Sequence, residues 1–145
     1  MKVLVACEYS GAVRDAFRDQ GHNAWSCDLL PTDADSDYHY ECDVREILVG
    51  DWDLVVAHPP CQYLCSSGLH WNHRVEGRQA KTDAAIEFFM MFTKLTCKWA
   101  IENPIGCMGR LFRKADQYIQ PHQFGHDASK KTGLWLSGLP LLEAT

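Results

Sequence analysis

Five short apolar runs, rich in β-branched or aromatic residues, punctuate the chain near 2–6, 23–27, 53–57, 98–102 and 132–137, and each predicts a strand. Between them, apolar positions fall at three- and four-residue steps, which predicts helices near 10–20, 44–49 and 79–96. The longest helix has the clearest pattern. From Arg78 to Lys98 its apolar positions are Ala85, Phe88, Phe89, Phe92, Leu95 and Trp99, one face to lay against a sheet. Ser10 is placed to cap the first helix and Gly21 to stop it. Strands interleaved with helices predict an α/β fold, a doubly wound and mostly parallel sheet, in a single domain over 1–145. No internal repeat, low-complexity tract or linker interrupts the pattern.

Composition narrows the setting. With 145 residues and 46% hydrophobic content the chain can bury one core of ordinary size, and no apolar run is long enough to span a membrane. Lys2 is followed by only five or six apolar residues before Glu8, too few for a secretory leader. Seven cysteines make an odd number without framework spacing, so a reducing compartment, the cytoplasm, is expected. The net charge of −5 opposes strong unaided binding to a polyanion.

Candidate chemistry centres on Asp53-Leu-Val-Val-Ala-His-Pro-Pro-Cys-Gln62. Pro59 and Pro60 cannot continue a strand in a sheet interior, so Cys61 is expected on a rigid loop at the strand's carboxyl end, the edge where open α/β sheets bind ligands. Cys7, Cys27, Cys42, Cys65, Cys97 and Cys107 lack such a context and read as small hydrophobes. A second acid-bearing strand end is Lys98-Trp-Ala-Ile-Glu-Asn-Pro104. The long polar loop 62–78, with Trp71, Arg74 and Arg78, has the length of a functional loop. A competing reading is metal binding by His58, Cys61, Cys65, His70 and His73, but their spacing matches no zinc module and ligation would occupy the thiol, so no metal is expected. Arg110, Arg113, Lys114, Lys130 and Lys131 bracket aromatic and amide residues, as a nucleic-acid edge does.

The Pro-Pro-Cys loop resembles motif IV of the DNA cytosine-5 methyltransferases, and Glu102-Asn103-Pro104 resembles their motif VI. The resemblance implies the Rossmann-like S-adenosylmethionine-dependent methyltransferase fold. It implies Cys61 as the nucleophile that adds to C6 of cytosine and Glu102 as the group that protonates N3. Cys7, Ser10 and Gly11, with Asp28, Asp43 and Pro59, match the positions that hold the S-adenosylmethionine cofactor. Asp28 corresponds to the ribose acid and Asp43 to the acid facing the adenine. Asn103, Gln62, Arg74, Arg78, Lys130 and Lys131 fall where the family contacts its DNA substrate. The first motif has only Gly11 where the family has several glycines, and lysines and a threonine stand in place of the arginines of motif VIII. No target-recognition segment follows that motif, so a compact phage-type enzyme, or one completed by a homodimer mate or partner subunit, is implied. Two further readings stay open. One is an amino-methyltransferase on adenine N6 or cytosine N4, although His58-Pro-Pro-Cys61 departs from that motif at both ends. The other is a catalytically silent binding protein of the same fold, acting in phage defence or regulation.

Overall fold

The computed structural model describes residues 1–145 as an α/β protein built on one seven-stranded sheet. The strands are β1 (Lys2–Ala6), β2 (Asn23–Asp28), β3 (His39–Glu41), β4 (Leu54–Ala57), β5 (Lys98–Pro104), β6 (Gln117–Ile119) and β7 (Thr132–Ser137). The helices are α1 (Ala12–Asp19), α2 (Ser66–Leu69), α3 (Arg78–Thr93) and α4 (Met108–Leu111). The sheet order is β3-β2-β1-β4-β5-β7-β6. The first five strands in that order run parallel, whereas β7 is antiparallel to both β5 and β6. The order is therefore that of a Rossmann-like sheet with one reversed strand inserted between the fifth and sixth. No helix is long and apolar enough to cross a membrane.

Alternation along β1 sends its residues to two cores. Leu4 and Ala6 join the larger core with Val55, Phe89, Phe92, Trp99, Ile101 and Trp135, while Val3 and Val5 pack with Ala24 and Leu54 beneath Val13 and Phe17 of α1. Phe89 and Phe92 are fully buried, each stabilising the fold by about 1.5–3 kcal/mol through burial. Phe89 also meets Trp135 edge-on at 5.2 Å, which ties α3 to the inserted strand β7.

Several expected elements differ. Residues 44–49 form no helix, only a single 3-10 turn at Val44–Glu46 that Asp43 caps through the Arg45 N–H at 2.9 Å. The long helix ends at Thr93, whose hydroxyl bonds back to the Met90 carbonyl at 2.7 Å, and Trp99 belongs to β5. Gly11 rather than Ser10 occupies the N-cap of α1, in a left-handed conformation (φ 80°). At the other end Gly21 does stop α1, its N–H reaching the Arg18 carbonyl at 2.9 Å while His22 N–H reaches Phe17 at 3.1 Å. The edge strands β3 and β6, three residues each, were not expected.

Candidate active site

The carboxyl edge of the sheet carries the site. On leaving β4, the His58 N–H continues the ladder onto the Ala6 carbonyl at 3.0 Å, and Pro59 and Pro60 then carry the chain out to Cys61. The Cys61 carbonyl accepts from Leu64 and Cys65, both at 3.0 Å, so the thiol, half-buried, stands at the start of a tight turn.

The neighbouring strand β5 holds that loop in place. Asn103, 2% exposed, donates its side-chain amide to the Pro59 carbonyl at 2.8 Å. Beyond it, Cys107 N–H bonds to the Leu64 carbonyl at 3.0 Å and Ser66 N–H to the Ile105 carbonyl at 3.1 Å. Gly106 allows the two segments to meet, because any Cβ there would collide with the Leu64 carbonyl. The Cys61 turn and the Glu102–Pro104 strand end thus form one rigid body. Glu102, 28% exposed, meets one side chain of the same loop: His58 Nδ1 lies 3.2 Å from its Oε2.

A cavity of about 440 Å³ opens at the ends of β1, β2 and β4. Cys7, Asp28 and Asp43, far apart in sequence, line it together with Pro60, Tyr63 and Phe88. Asp28 accepts the Leu30 N–H at 2.9 Å through Oδ1. The Asp43 carboxyl is held below the usual carboxylate range, chiefly by the Arg45 backbone N–H. Burial, with Asp28 and Asp43 beside it, pushes the Cys7 thiol up to about 12, so it is neutral at physiological pH. Cys7 itself sits at φ 62°, a left-handed turn for a side-chain-bearing residue. It also borders a second cavity of about 350 Å³, lined by Glu8, Tyr9, Ser10 and His58.

The N-terminus of α1 borders the second cavity. In dinucleotide-binding folds this helix end cradles phosphate. Here the Val13 and Arg14 N–H groups donate to the Glu8 carboxylate at 2.7 and 3.2 Å, and the Ala12 N–H to Ser10 Oγ at 3.3 Å. A protein carboxylate fills the anion position and would repel a second anion.

A buried polar chain braces the same corner. Arg14, fully buried, donates to Ser26 Oγ at 2.9 Å, and Ser26 lies 2.8 Å from His39 Nδ1. His39 Nε2 lies 2.9 Å from the Leu30 carbonyl, which can only accept, so Nε2 carries the proton and Nδ1 accepts from Ser26. The Arg14 guanidinium lies where a Cβ on Gly11 would stand, which is why the turn needs glycine there.

The remaining candidates divide. Thr132 pairs with Pro104 across β5 and β7, which brings the exposed Lys130 and Lys131 to the same edge as Glu102, with Lys131 Nζ 4.9 Å from the Tyr118 ring centroid. Arg74 is exposed and faces Trp71 at 5.7 Å, and Gln62 is exposed beside Cys61. Arg78 is instead half-buried, its guanidinium 4.9 Å from the Tyr63 ring and bonded to the Gln62 carbonyl at 3.3 Å, an internal brace rather than a free phosphate ligand. Asn103 is buried against the loop, away from solvent. Pro59 is buried and lines neither cavity; Pro60 forms the wall in its place. His58, Cys61, Cys65, His70 and His73 do not converge into a group of three or more metal-ligating side chains. Sequence reasoning missed Glu8 as the cap of α1, the aromatic walls Tyr63 and Phe88, and His58 as the partner of Glu102. The one available signal was His58 itself, a polar residue closing an otherwise apolar strand. No protein-family model matches the chain, and no curated protein matches it.

Proposed function

We propose that this protein methylates C5 of cytosine in DNA, using S-adenosylmethionine as methyl donor, Cys61 as covalent nucleophile and Glu102 as the acid at N3. The observation that carries the reading is the joined pair of strand ends, in which Asn103, Gly106 and Cys107 lock the Cys61 turn to the end of the strand bearing Glu102. Such a pairing suits a reaction in which two groups must meet one ring at once. Cytosine C5 is a weak nucleophile. When the Cys61 thiolate bonds to C6, the C5–C6 π pair shifts toward C5 while N3 takes a proton from Glu102, and C5 gains carbanion character. S-adenosylmethionine supplies an electrophilic methyl group when bound. Asp28 and Asp43 would hold its nucleoside, and the Glu8-filled helix end favours a ligand without phosphate. Loss of the C5 proton to water then restores the double bond and expels the Cys61 thiolate.

The acidic net charge fits DNA capture aided by a homodimer mate or partner subunit, with Lys130, Lys131 and Arg74 as the chain's own cations at that edge. An exocyclic-amine methyltransferase needs no thiol, and a silent binding protein needs no thiol-bearing loop tied to an acid-bearing strand end. The test is to incubate the protein with labelled S-adenosylmethionine and mixed-sequence DNA and identify the nucleoside by mass spectrometry. 5-Methylcytosine is expected; N6-methyladenine or N4-methylcytosine would replace this reading with an amino-methyltransferase, and cofactor binding without product would favour the silent protein.

A further inference from the structure

His58 enters no step described above, yet it occupies a constrained position. Its backbone belongs to the β1–β4 ladder, its Nδ1 lies 3.2 Å from Glu102 Oε2, and its Nε2 is buried with no protein partner. It lines the smaller cavity with Cys7, Glu8, Tyr9 and Ser10. An imidazole nitrogen and a carboxyl oxygen at this separation both bear lone pairs, so the contact is attractive only with a proton between them. A carboxyl group alone in water is ionised at neutral pH and has no proton to give a ring nitrogen.

We propose that His58 is a positioning residue for Glu102: the two share one proton across the Nδ1–Oε2 contact, which lets Glu102 protonate N3 of the pyrimidine at neutral pH. This rests on the cytosine reading and names what sets the pH range of that site. The pair starts as an imidazolium facing a carboxylate; as the thiolate adds, the Nδ1 proton passes to Oε2 and on to N3, leaving a neutral imidazole and a carboxylate, and it returns by the same route when the thiolate is expelled. No net proton is consumed.

The groups around His58 leave Glu102 as its one ionic partner. From the β1–α1 turn, the Glu8 carboxylate is occupied by the Val13 and Arg14 N–H groups, Cys7 is a neutral thiol, and Tyr9 is an exposed phenol. From its own loop comes Cys61, three residues on.

The test has two arms on the full chain. Nitrogen-15 NMR of the ligand-free protein follows the His58 ring with pH. Glu102→Gln replaces the carboxylate that faces Nδ1 at 3.2 Å and is expected to shift the Nδ1 resonance and its response to pH. In the second arm, His58→Gln is expected to lose about tenfold in methyl transfer at pH 8 and to recover as pH falls and solvent protonates Glu102, while the wild type changes little. His58→Asn and thermal melts separate this effect from misfolding. A His58 titration unmoved by Glu102→Gln, or a His58→Gln variant with the wild-type pH profile, would overturn the proposal. Coupled titration without methyl transfer would uphold the shared proton and overturn the cytosine reading instead.

Discussion

Two loops leave the same edge of the sheet from adjacent strands, β1 and β4, and hold their residues by opposite means. The β1 turn bends through left-handed Cys7 and Gly11 and is secured locally, by Glu8 reaching the helix that follows it. The β4 loop is stiffened by two prolines and secured from a distance, by Asn103 and Cys107 on the far side of a sequence gap of about forty residues. A turn held by its own helix can adjust to a ligand without disturbing the rest of the sheet. A loop gripped by the neighbouring strand keeps a nucleophile and an acid in one frame, as concerted chemistry demands.

Changes to the β4 grip therefore have the largest expected effects. Gly106→Ala places a methyl group against the Leu64 carbonyl and should cost about 3 kcal/mol, read as a lower urea midpoint at unchanged slope. Wild-type stability in this variant would mean that the two segments do not touch. Asn103→Ala leaves the Pro59 carbonyl buried without a partner and should cost about 2 kcal/mol. It should also speed labelling of Cys61 by a thiol reagent, and unchanged labelling would remove Asn103 from the frame.

The β1 turn should respond differently. Glu8→Gln keeps one acceptor oxygen but turns an amide toward the second helix N–H, costing about 1 kcal/mol while leaving Cys61 labelling at the wild-type rate. Faster labelling there would show that the two loops move together and would erase the contrast.

A site remote from both loops gives the smallest effect and a control of sign. Burial pushes the Asp116 carboxyl up, but the Leu136 N–H and the Arg113 guanidinium outweigh it and hold the group below its ordinary range. A lowered folded-state value contributes stability that is present above the unfolded carboxylate value and is lost as pH falls through the folded one. The stability gap between wild type and Asp116→Asn should thus close on acidification, as denaturation at stepped pH would reveal; a gap that widens would contradict the ion pair.

The parts of the molecule legible in sequence are those where burial dictates residue type. β1, β2 and β4 announce themselves as apolar runs because both cores draw on them, and β5 and β7 because Trp99, Ile101 and Trp135 enter the larger one. β3 and β6 do not, since a three-residue edge strand takes its register from its neighbour and needs no pattern of its own. The expected helix at 44–49 starts, with Asp43 capping the Arg45 N–H, but ends as a single 3-10 turn with Gly50 following within two turns. In the site, proline punctuation made the Cys61 loop readable, and acids at strand ends made Asp28 and Asp43 candidates, which share one cavity with Cys7. Glu8 and His58 stayed hidden because their partners, the α1 N-terminus and Glu102, are set by the turn and by strand order, neither of which local periodicity encodes.

The central claim is that Cys61 bonds to the pyrimidine ring beside Glu102, and trapping that bond tests it most directly. DNA carrying 5-fluorocytosine cannot lose the C5 substituent as a proton, so elimination stalls after methyl transfer. Mixed with protein and S-adenosylmethionine, it should give a denaturant-stable protein–DNA species whose cross-linked peptide contains Cys61. Cys61→Ser should abolish that species, and Glu102→Gln should slow its formation. A protein that binds both cofactor and DNA yet forms no adduct would contradict the account.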